Sequence, residues 1–338
     1  MTGSNDRTCR SSIPTMCSRL GILTYKKLEI FDNVIKKDVS MRVLVIGNGF
    51  DIDLGINTSY SNFYNYSIFS KRRNVVPNSL EAYLRGRNKK DIRWADLEES
   101  MATYVKNKKG RVLDTITNHD KFFLQELKRE FSDFIIDNWY NKSNNSEKEP
   151  INDSLAKRII DKNNKGCFDS IYSFNCMLYS DLQLFSDSQI DSTFGINNIH
   201  GAYDVFIFGI RKEDCIREDY SFLVKENQDY YPHDVVKSLK KDLMLANDVV
   251  IFGHSLNRID MGYFEYLFKQ FAQTNQSITF ITKNKSSRDD IISNISQYVI
   301  PYEKLDKSGR ISFLYTDDYY NQEKSEYIED FLTSLNLC

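Results

Sequence analysis

The sequence predicts an α/β fold: a doubly wound, mostly parallel Rossmann-like sheet with a large helical insertion. Short apolar runs that end at Gly, Asn or His recur along the chain, and each is typical of a parallel strand buried on both faces. The first run, residues 43–46 (VLVI), leads directly into a glycine-rich turn and then a helical pattern. A strand, a glycine turn and a helix in this order form the phosphate-binding arrangement of open α/β sheets.

The glycine turn has the spacing G-x-G-x5-G, formed by Gly47, Gly49 and Gly55. Glycine is needed where the backbone takes a positive φ or closely approaches a ligand. Dehydrogenases carry G-x-G-x2-G instead, so this spacing argues against a standard dinucleotide site, and a tight strand-to-helix turn explains the same glycines without a ligand. The following helix is expected to begin near Thr58 or Ser59, because both residue types are favoured N-caps.

Helical periodicity continues from residue 59 to about residue 140, which predicts the helical insertion at about residues 71–165. The polar stretch 141–153 has the composition of a linker. We therefore expect residues 41–338 to form a single α/β domain. Residues 1–40 show no strong core pattern and are expected to be an N-terminal extension, disordered or loosely attached. A helix over about 25–35 that packs on the domain is the alternative.

Three later runs also end in polar residues. Residues 168–174 lead to Asn175, the apolar stretch near 197–199 leads to His200, and the strand pattern within 248–256 runs into Gly253. Because the carboxyl ends of parallel strands lie along one edge of a sheet, these residues and the glycine turn are expected to share one crevice. The candidate ligand-binding residues are Gly47, Asn48, Gly49, Phe50, Asp51, Gly55, Gly201, Gly253, His254 and Ser255. A helix over 261–273, strands over 277–281 and 311–315, and a last helix over about 322–335 complete the predicted fold.

Asn175 and His200 are the candidate catalytic residues. Histidine titrates near neutral pH and can accept a proton from water or from a ribose hydroxyl, and the asparagine could orient either group. Each also has a structural explanation, namely a buried histidine bonded to backbone and an asparagine that caps a helix beginning near Met177. His254 and Ser255 could likewise cap the helix that follows them.

Acidic residues near the predicted crevice need separate interpretation. Asp51 would repel a pyrophosphate, so it suits a ribose hydroxyl or a cationic ring better, although it could also cap a helix. Trp94 and Glu98 lie in the segment WADLEE, where we expect a tryptophan that docks the helix and acids that face solvent.

Composition excludes several classes of protein. The 338 residues carry a formal net charge of −2, so no basic field recruits nucleic acid. No run of about 18 apolar residues indicates a membrane span. The six cysteines have no pair spacing, which is typical of reduced thiols in a cytoplasmic protein. No His, Cys or acidic cluster has metal-ligand spacing, so no metal is expected.

Five segments of the sequence together resemble one known family. They are VLVIGNGFDIDLGINTSYSNF, WADLEE, SFN, NIHG and VVIFGHSLNRIDMGYF, which span residues 43–264. These segments resemble the AbiH family of bacteriophage abortive-infection proteins. The resemblance implies a role in phage defence, whereas the family name implies no particular chemistry.

A more distant resemblance, to sirtuins and sirtuin-like NAD hydrolases, implies a chemistry. Sirtuins carry four motifs in a fixed order: a glycine turn, an Asn after a strand, H-G and G-T-S. This sequence has similar motifs in the same order, namely the turn at Gly47, Asn175, His200 with Gly201, and G-H-S at residues 253–255. Asp51 replaces a small Ser, and Met177 stands where sirtuins carry an Asp. The paired cysteines of the sirtuin zinc module are also absent from the sequence. These departures argue against protein deacylation.

The sequence therefore predicts a phage-defence effector that binds NAD and hydrolyses it at the nicotinamide–ribose bond, with NAD as substrate or ligand. In this prediction the 47–49 turn receives the pyrophosphate, and residues 253–255 hold the adenosine side. The alternative is a nucleotide-binding sensor or scaffold without turnover. A nuclease-like effector is disfavoured, because neither an acidic metal cluster nor a basic groove is evident. The sequence leaves open a phage-derived trigger or partner protein and a homo-oligomer.

Overall fold

The computed structural model describes residues 40–67, 74–86, 94–110, 112–143, 153–163, 166–176, 195–201, 205–305, 307, 309–321 and 325–335. The predicted extension over residues 1–40 lies outside this part of the chain except for Ser40, and so do Met177 and most of the 141–153 linker.

The described residues form a parallel six-stranded sheet in the order β3-β2-β1-β4-β5-β6. The strands are β1 Arg42–Ile46, β2 Ser170–Ser173, β3 Ile196–Asn198, β4 Asp248–Phe252, β5 Ser277–Thr282 and β6 Ile311–Tyr315. This is the 3-2-1-4-5-6 order of doubly wound nucleotide-binding sheets. The predicted fold class is confirmed.

Both faces of the sheet are covered. Leu44 and Ile46 of β1 pack into one apolar core, whereas Val43 and Val45 pack into a second core on the opposite face. Successive side chains of a strand point to opposite faces, so a strand buried on both faces must be apolar throughout. This is why the VLVI run was a reliable strand signal.

The predicted helical insertion is confirmed between β1 and β2. After the short helix α1 (Asn48–Asp53), it comprises α2 Tyr60–Tyr66, α3 Leu80–Gly86, α4 Trp94–Asn107, α5 Asp114–Ser143 and α6 Leu155–Asn163. Phe63 of α2 packs against Phe131 and Phe134 of α5, with ring centroids 5.3 and 5.6 Å apart, in the same core as Leu44. The insertion thereby covers one face of the sheet.

Helices of the second half cover the other face. They are α7 His233–Leu245, α8 Met261–Phe271, α9 Lys285–Tyr298 and the short α10 Tyr302–Leu305; α11 Thr316–Tyr320 and α12 Ser325–Ser334 follow β6. The apolar residues of α12 return to the core of the insertion. Three 3₁₀ turns, Lys212–Asp214, Glu218–Leu223 and Lys225–Asn227, lie between β3 and α7. Among the described helices, none is both long and apolar enough to cross a bilayer.

Candidate active site at the strand switch point

A cavity of about 590 Å³ opens at the carboxyl ends of the central strands. Strand order reverses between β1 and β4, and doubly wound sheets bind their ligands at such a switch point. Its volume is typical of small-molecule sites, roughly 300–1,000 Å³. Most of the candidate residues from the sequence line it: Gly47, Asn48, Gly49, Asp51, Asn175, His200, Gly253, His254 and Ser255.

The turns after β1 and β4 interlock on one side of this cavity. The Gly49 N–H donates to the Gly253 carbonyl at 2.9 Å, and the Gly47 N–H donates to the Phe252 carbonyl at 2.8 Å. A Cβ on Gly49 would lie 2.7 Å from Gly253 Cα, and Gly253 itself has φ +66°. The neighbouring turn therefore requires these glycines for close packing, which favours the alternative of a tight strand-to-helix turn.

Three candidate residues lie outside the cavity lining. Phe50 is a fully buried core residue, packed edge-on against Phe252 at 5.1 Å. Gly55 ends helix α1 at φ +78°, where its N–H donates to the Ile52 carbonyl while the next N–H donates to the Asp51 carbonyl. This is the Schellman pattern that selects glycine after a helix. A Cβ on Gly201, at φ +76°, would strike the backbone of a following residue. All three serve local folding.

Asn175 connects the ends of β1 and β2. Its side-chain amide donates to the Gly47 carbonyl and to Asp51 Oδ1, both at 2.9 Å, while its backbone N–H donates to Ser173 Oγ at 3.1 Å. Asp51 Oδ2 accepts from the Thr58 hydroxyl at 3.2 Å. Asp51 is 1% exposed and lies inside α1, whose N-cap is Gly47, so it does not cap the helix. The result is a buried carboxylate that amide and hydroxyl donors hold at the cavity wall.

His200 adjoins a buried network of charged side chains. Its Nε2 lies 3.2 Å from Lys225 Nζ and 3.3 Å from Asp260 Oδ1. Lys225 donates to Glu98 Oε2 at 3.0 Å and to Asp260 Oδ1 at 3.2 Å. The expectation of a solvent-facing acid at Glu98 is wrong, because this residue is 6% exposed and accepts from the Gly209 N–H. Sequence reasoning missed Lys225 and Asp260 altogether.

Burial and pairing set the charges of this network. Burial alone would raise the pKa of Asp260, but Lys225 and His200 hold it well below its usual range. Burial would lower the pKa of Lys225, but Asp260 and Glu98 raise it above its usual range. Burial raises the pKa of Glu98 despite the opposing effect of Lys225. Two acids of the cavity wall therefore differ: Asp260 is ionised and paired with Lys225, which lies behind the lining, whereas Glu98 takes up a proton more readily than usual.

His254 is neutral at pH 7, because burial lowers its pKa to about 4. Its Nδ1 accepts from the Leu256 N–H at 3.0 Å, so Nε2 carries the proton, 3.7 Å from Asp260 Oδ2. Leu256 has φ +48°, which is unusual for a residue with a side chain and marks a constrained loop. Helix α8 begins after Asp260 without a side-chain cap, so the capping alternative for His254 and Ser255 is wrong.

An aromatic ring separates the two histidines. Phe174 packs edge-on against His200 and His254, with ring centroids 5.3 and 4.4 Å apart. It fixes both imidazoles and presents an apolar surface to the cavity, since all three residues line it.

The rest of the cavity wall is mainly acidic. Lys283, after β5, is the sole lysine or arginine among the described residues that line it, whereas four acids do so: Asp51, Glu98, Asp260 and Asp290. Such a surface favours a cationic or neutral group over a phosphate except near Lys283. Among the described residues, no group of three or more His, Cys, Asp or Glu could hold a metal ion.

Comparison with solved structures finds three sirtuin structures of low similarity. A Sir2Tm structure bound to a propionylated peptide is 14% identical, with 84% of this chain and 98% of that chain covered and a TM-score of 0.36. A Sir2–p53 peptide–NAD+ structure is 12% identical, with 88% and 97% covered and a TM-score of 0.34. A third, from work on sirtuin substrate affinity, is 12% identical, with 88% and 98% covered and a TM-score of 0.35.

No curated protein matches the sequence. The family model described as "Bacteriophage abortive infection AbiH" matches residues 43–282, from β1 to the end of β5. This match includes the switch point, the helical insertion and every residue of the charged network. The chain therefore belongs to the AbiH family of bacteriophage abortive-infection proteins.

Proposed function

We propose that the protein is a phage-defence effector that binds NAD in the switch-point cavity and hydrolyses the nicotinamide–ribose bond. One observation carries the proposal: the buried Asp51–Asn175 pair and the His200–Asp260 pair line a single cavity of ligand size. In this proposal Asp51 supplies a negative charge beside the sugar and His200 accepts a proton, and this hydrolysis needs both functions.

The reaction itself defines those needs. The oxygen of a water molecule bonds to the anomeric carbon of the ribose as the bond from that carbon to the ring nitrogen breaks. Nicotinamide leaves as a neutral molecule with the bonding electron pair, and the water loses a proton. The transition state carries positive charge on the sugar, so a catalyst must place negative charge there and accept the proton.

The geometry suggests a role for each residue. Asp51, held by the Asn175 amide, is suited to face the cationic sugar and its hydroxyls. If His200 Nε2–H donates to Asp260, the other ring nitrogen, Nδ1, is the proton acceptor. Asp260 then stabilises the imidazolium that forms, and Lys225 keeps Asp260 ionised. Asn175 orients the ribose or the water.

The phosphate position differs from the one that the sequence predicted. The Gly49 N–H is already donated to Gly253, and Asp51 lies on the adjoining helix, so the 47–49 turn offers little to a pyrophosphate. We place the pyrophosphate near Lys283, the lysine among the described residues of the cavity wall, because its ammonium group can bind phosphate oxygens. The adenosine side would then rest against residues 253–255.

The setting is part of the proposal. We place the protein in the cytoplasm, where NAD is available and where the described cysteines, Cys167, Cys176 and Cys215, would remain free thiols. A phage-derived trigger or partner protein would release the activity, and a homo-oligomer is compatible with the fold.

A nucleotide-binding sensor without turnover is the second candidate. Two contacts favour it: the Gly49 N–H already donates to the Gly253 carbonyl, and the charge of Asp260 is already paired with Lys225. A site in which ionised groups are fully paired can recognise a ligand without transferring its protons.

The deciding experiment measures nicotinamide and ADP-ribose by chromatography after NAD is incubated with purified protein, and total NAD in cells during phage infection. His200→Ala should abolish nicotinamide release and phage protection, whereas His233→Ala, outside the cavity lining, should preserve both. NAD that stays constant in infected cells that the wild-type protein protects would exclude the hydrolase and favour the sensor.

A further inference from the structure

A second cavity, of about 540 Å³, lies beside the first. One side is a stripe of helix α5, on which Lys121, Gln125, Lys128 and Arg129 recur at helical spacing. The other side is the segment 227–230, which begins at the last residue of the 3₁₀ turn Lys225–Asn227. Phe206 lines both cavities and forms part of the wall between them.

The charges of the second cavity are opposite to those of the first. Among the described residues that line it, three are cationic, Lys121, Lys128 and Arg129, and one is acidic, Asp229. Lys128 Nζ donates to Gln228 Oε1 at 2.5 Å, a neutral partner. Burial lowers the pKa of Lys128 to about 8, and Asp229 offsets only part of this effect. A partly buried cation held by a neutral amide is a group that an anionic ligand would stabilise.

Aromatic rings accompany these cations. Lys121 Nζ lies 5.6 Å from the ring centroid of Phe222. Tyr230 is 80% exposed and holds a φ of +66°, a backbone conformation that a tyrosine rarely adopts. An exposed aromatic ring in a constrained turn beside cations can bind another flat ring.

We propose that the second cavity is a binding site for a nucleoside phosphate, with its base against Phe222 and Tyr230 and its phosphates on Lys121, Lys128 and Arg129. A single small molecule that combines a flat ring with several negative charges uses both features of the cavity. The volume lies in the usual range of small-molecule sites, roughly 300–1,000 Å³. An acidic peptide would use the cations but not the two aromatic rings.

The second site is physically connected to the first. The Gln228 side chain donates to the Phe208 carbonyl at 2.7 Å and accepts from Lys128. It therefore links helix α5 to the loop after β3, whose Phe208 lines the first cavity. The turn just before it carries Lys225, which contacts His200 and Asp260. A phosphate that draws Lys128 away from Gln228 would remove one of the hydrogen bonds that hold residues 225–228, and this segment includes Lys225 of the charged network. Occupancy of the second cavity is therefore expected to change the mobility of the first.

Lysine acetylation followed by mass spectrometry tests the binding site, because the lowered pKa of Lys128 makes its amine reactive near neutral pH. The probes are ATP, inorganic tripolyphosphate and adenosine. ATP should protect Lys121 and Lys128 from acetylation but leave Lys241, an exposed lysine of α7, unprotected. The double substitution Lys128→Gln/Arg129→Gln should raise the Kd for ATP about tenfold or more, whereas Lys241→Gln should not change it.

Three results would overturn the proposal. Protection of Lys283 alone would place ATP in the first cavity. Equal affinity for tripolyphosphate and ATP, unaffected by Phe222→Leu or Tyr230→Ser, would show a polyanion site with no nucleoside recognition. Displacement of ATP from Lys128 by an acidic peptide of higher affinity would identify a protein-binding surface instead.

Hydrogen exchange tests the connection separately. ATP should slow exchange not only at residues 225–230 but also at 257–261, the segment that carries Asp260 and leads into helix α8. If ATP protects Lys128 while exchange at 257–261 stays unchanged, the site binds a ligand but is not coupled to the charged network, and that part of the inference is wrong.

Discussion

Lys225 and Asp260, 35 residues apart in sequence, form a buried ion pair in which Lys225 Nζ lies 3.2 Å from Asp260 Oδ1. Neither residue is more than 5% exposed. The pair joins a 3₁₀ turn to the start of helix α8, and His200 and Glu98 adjoin it. A charge pair so well shielded from water is costly to break from one side.

Lys225→Met should therefore destabilise the protein strongly, by about 3–5 kcal/mol, because Asp260 and Glu98 would remain buried without their cation. Lys106→Met is the matched control: this lysine is partly exposed, and its partner Asp214 keeps Arg258. Its expected cost is about 1 kcal/mol or less. Urea unfolding of both variants checks the difference. Similar losses in the two would mean that the buried network does not behave as one unit.

Stability should fall as the pH drops below about 6.5, in part because of His254. Burial lowers its folded-state pKa from 6.5 to about 4, so the unfolded chain binds more protons between these values. The contribution of His254 is fully present above its unfolded pKa and is lost as the pH falls toward the folded value. By pH 5 the loss is about 2 kcal/mol.

His254→Asn should flatten this pH dependence. Glu98, whose pKa is raised, acts in the opposite direction, so the informative quantity is the difference between wild type and variant at each pH. Urea midpoints at pH 7.5 and pH 5 provide it. His233→Ala, outside the cavity lining, should keep the wild-type pH dependence, and a variant at His254 that also kept it would contradict the assigned pKa shift.

Gly49→Val should disrupt the fold around the crevice rather than only its ligand binding. Any Cβ at this position would lie 2.7 Å from Gly253 Cα, so even Gly49→Ala should cost about 1–3 kcal/mol. Gly262 offers the opposite case, because nothing lies within 4 Å of a Cβ built there, inside helix α8. Gly262→Ala should stabilise by up to about 1 kcal/mol. Thermal melts compare the two alanines, and equal melting temperatures would argue against the interlocked turns.

Asn175→Asp tests the proposed chemistry without changing side-chain size. It replaces the donor to Asp51 and to the Gly47 carbonyl with a second carboxylate, so Asp51 should lose its fixed orientation. Nicotinamide release should fall by about 10²-fold or more. Asn138→Asp, on helix α5 and outside the cavity lining, should leave the rate unchanged. If Asn175→Asp turns NAD over at the wild-type rate, Asn175 has no part in the reaction.

The centre of the sheet could be predicted because β1 and β4 are buried on both faces and therefore appear as uninterrupted apolar runs. Asn175, His200 and His254 each follow the carboxyl end of a parallel strand, and these ends lie along one edge of the sheet. The three residues therefore line one cavity. Helices α7 and α9 were not predicted from the sequence, although they cover the second face of the sheet.

Lys225 and Asp260 could not be found in the same way. One lies in a 3₁₀ turn and the other at a helix start, and neither position has a periodic signal in the sequence. Their partnership arises from tertiary packing alone. Glu98 did carry a signal, since the WADLEE segment resembles the family, but an acid on a helix is exposed far more often than buried. The sequence predicts Gly55 as a ligand-binding residue because a glycine that ends a helix looks the same in sequence as one that touches a phosphate.

The interlocked turns also determine when the crevice can exist during folding. The amides of Gly47 and Gly49 find their acceptors at Phe252 and Gly253, about two hundred residues later in the chain. Contacts of such long sequence separation form late, because a long loop must close first. A chain still emerging from the ribosome lacks this side of the crevice until β4 has been synthesised. The candidate site is thus among the last parts of the molecule to be assembled.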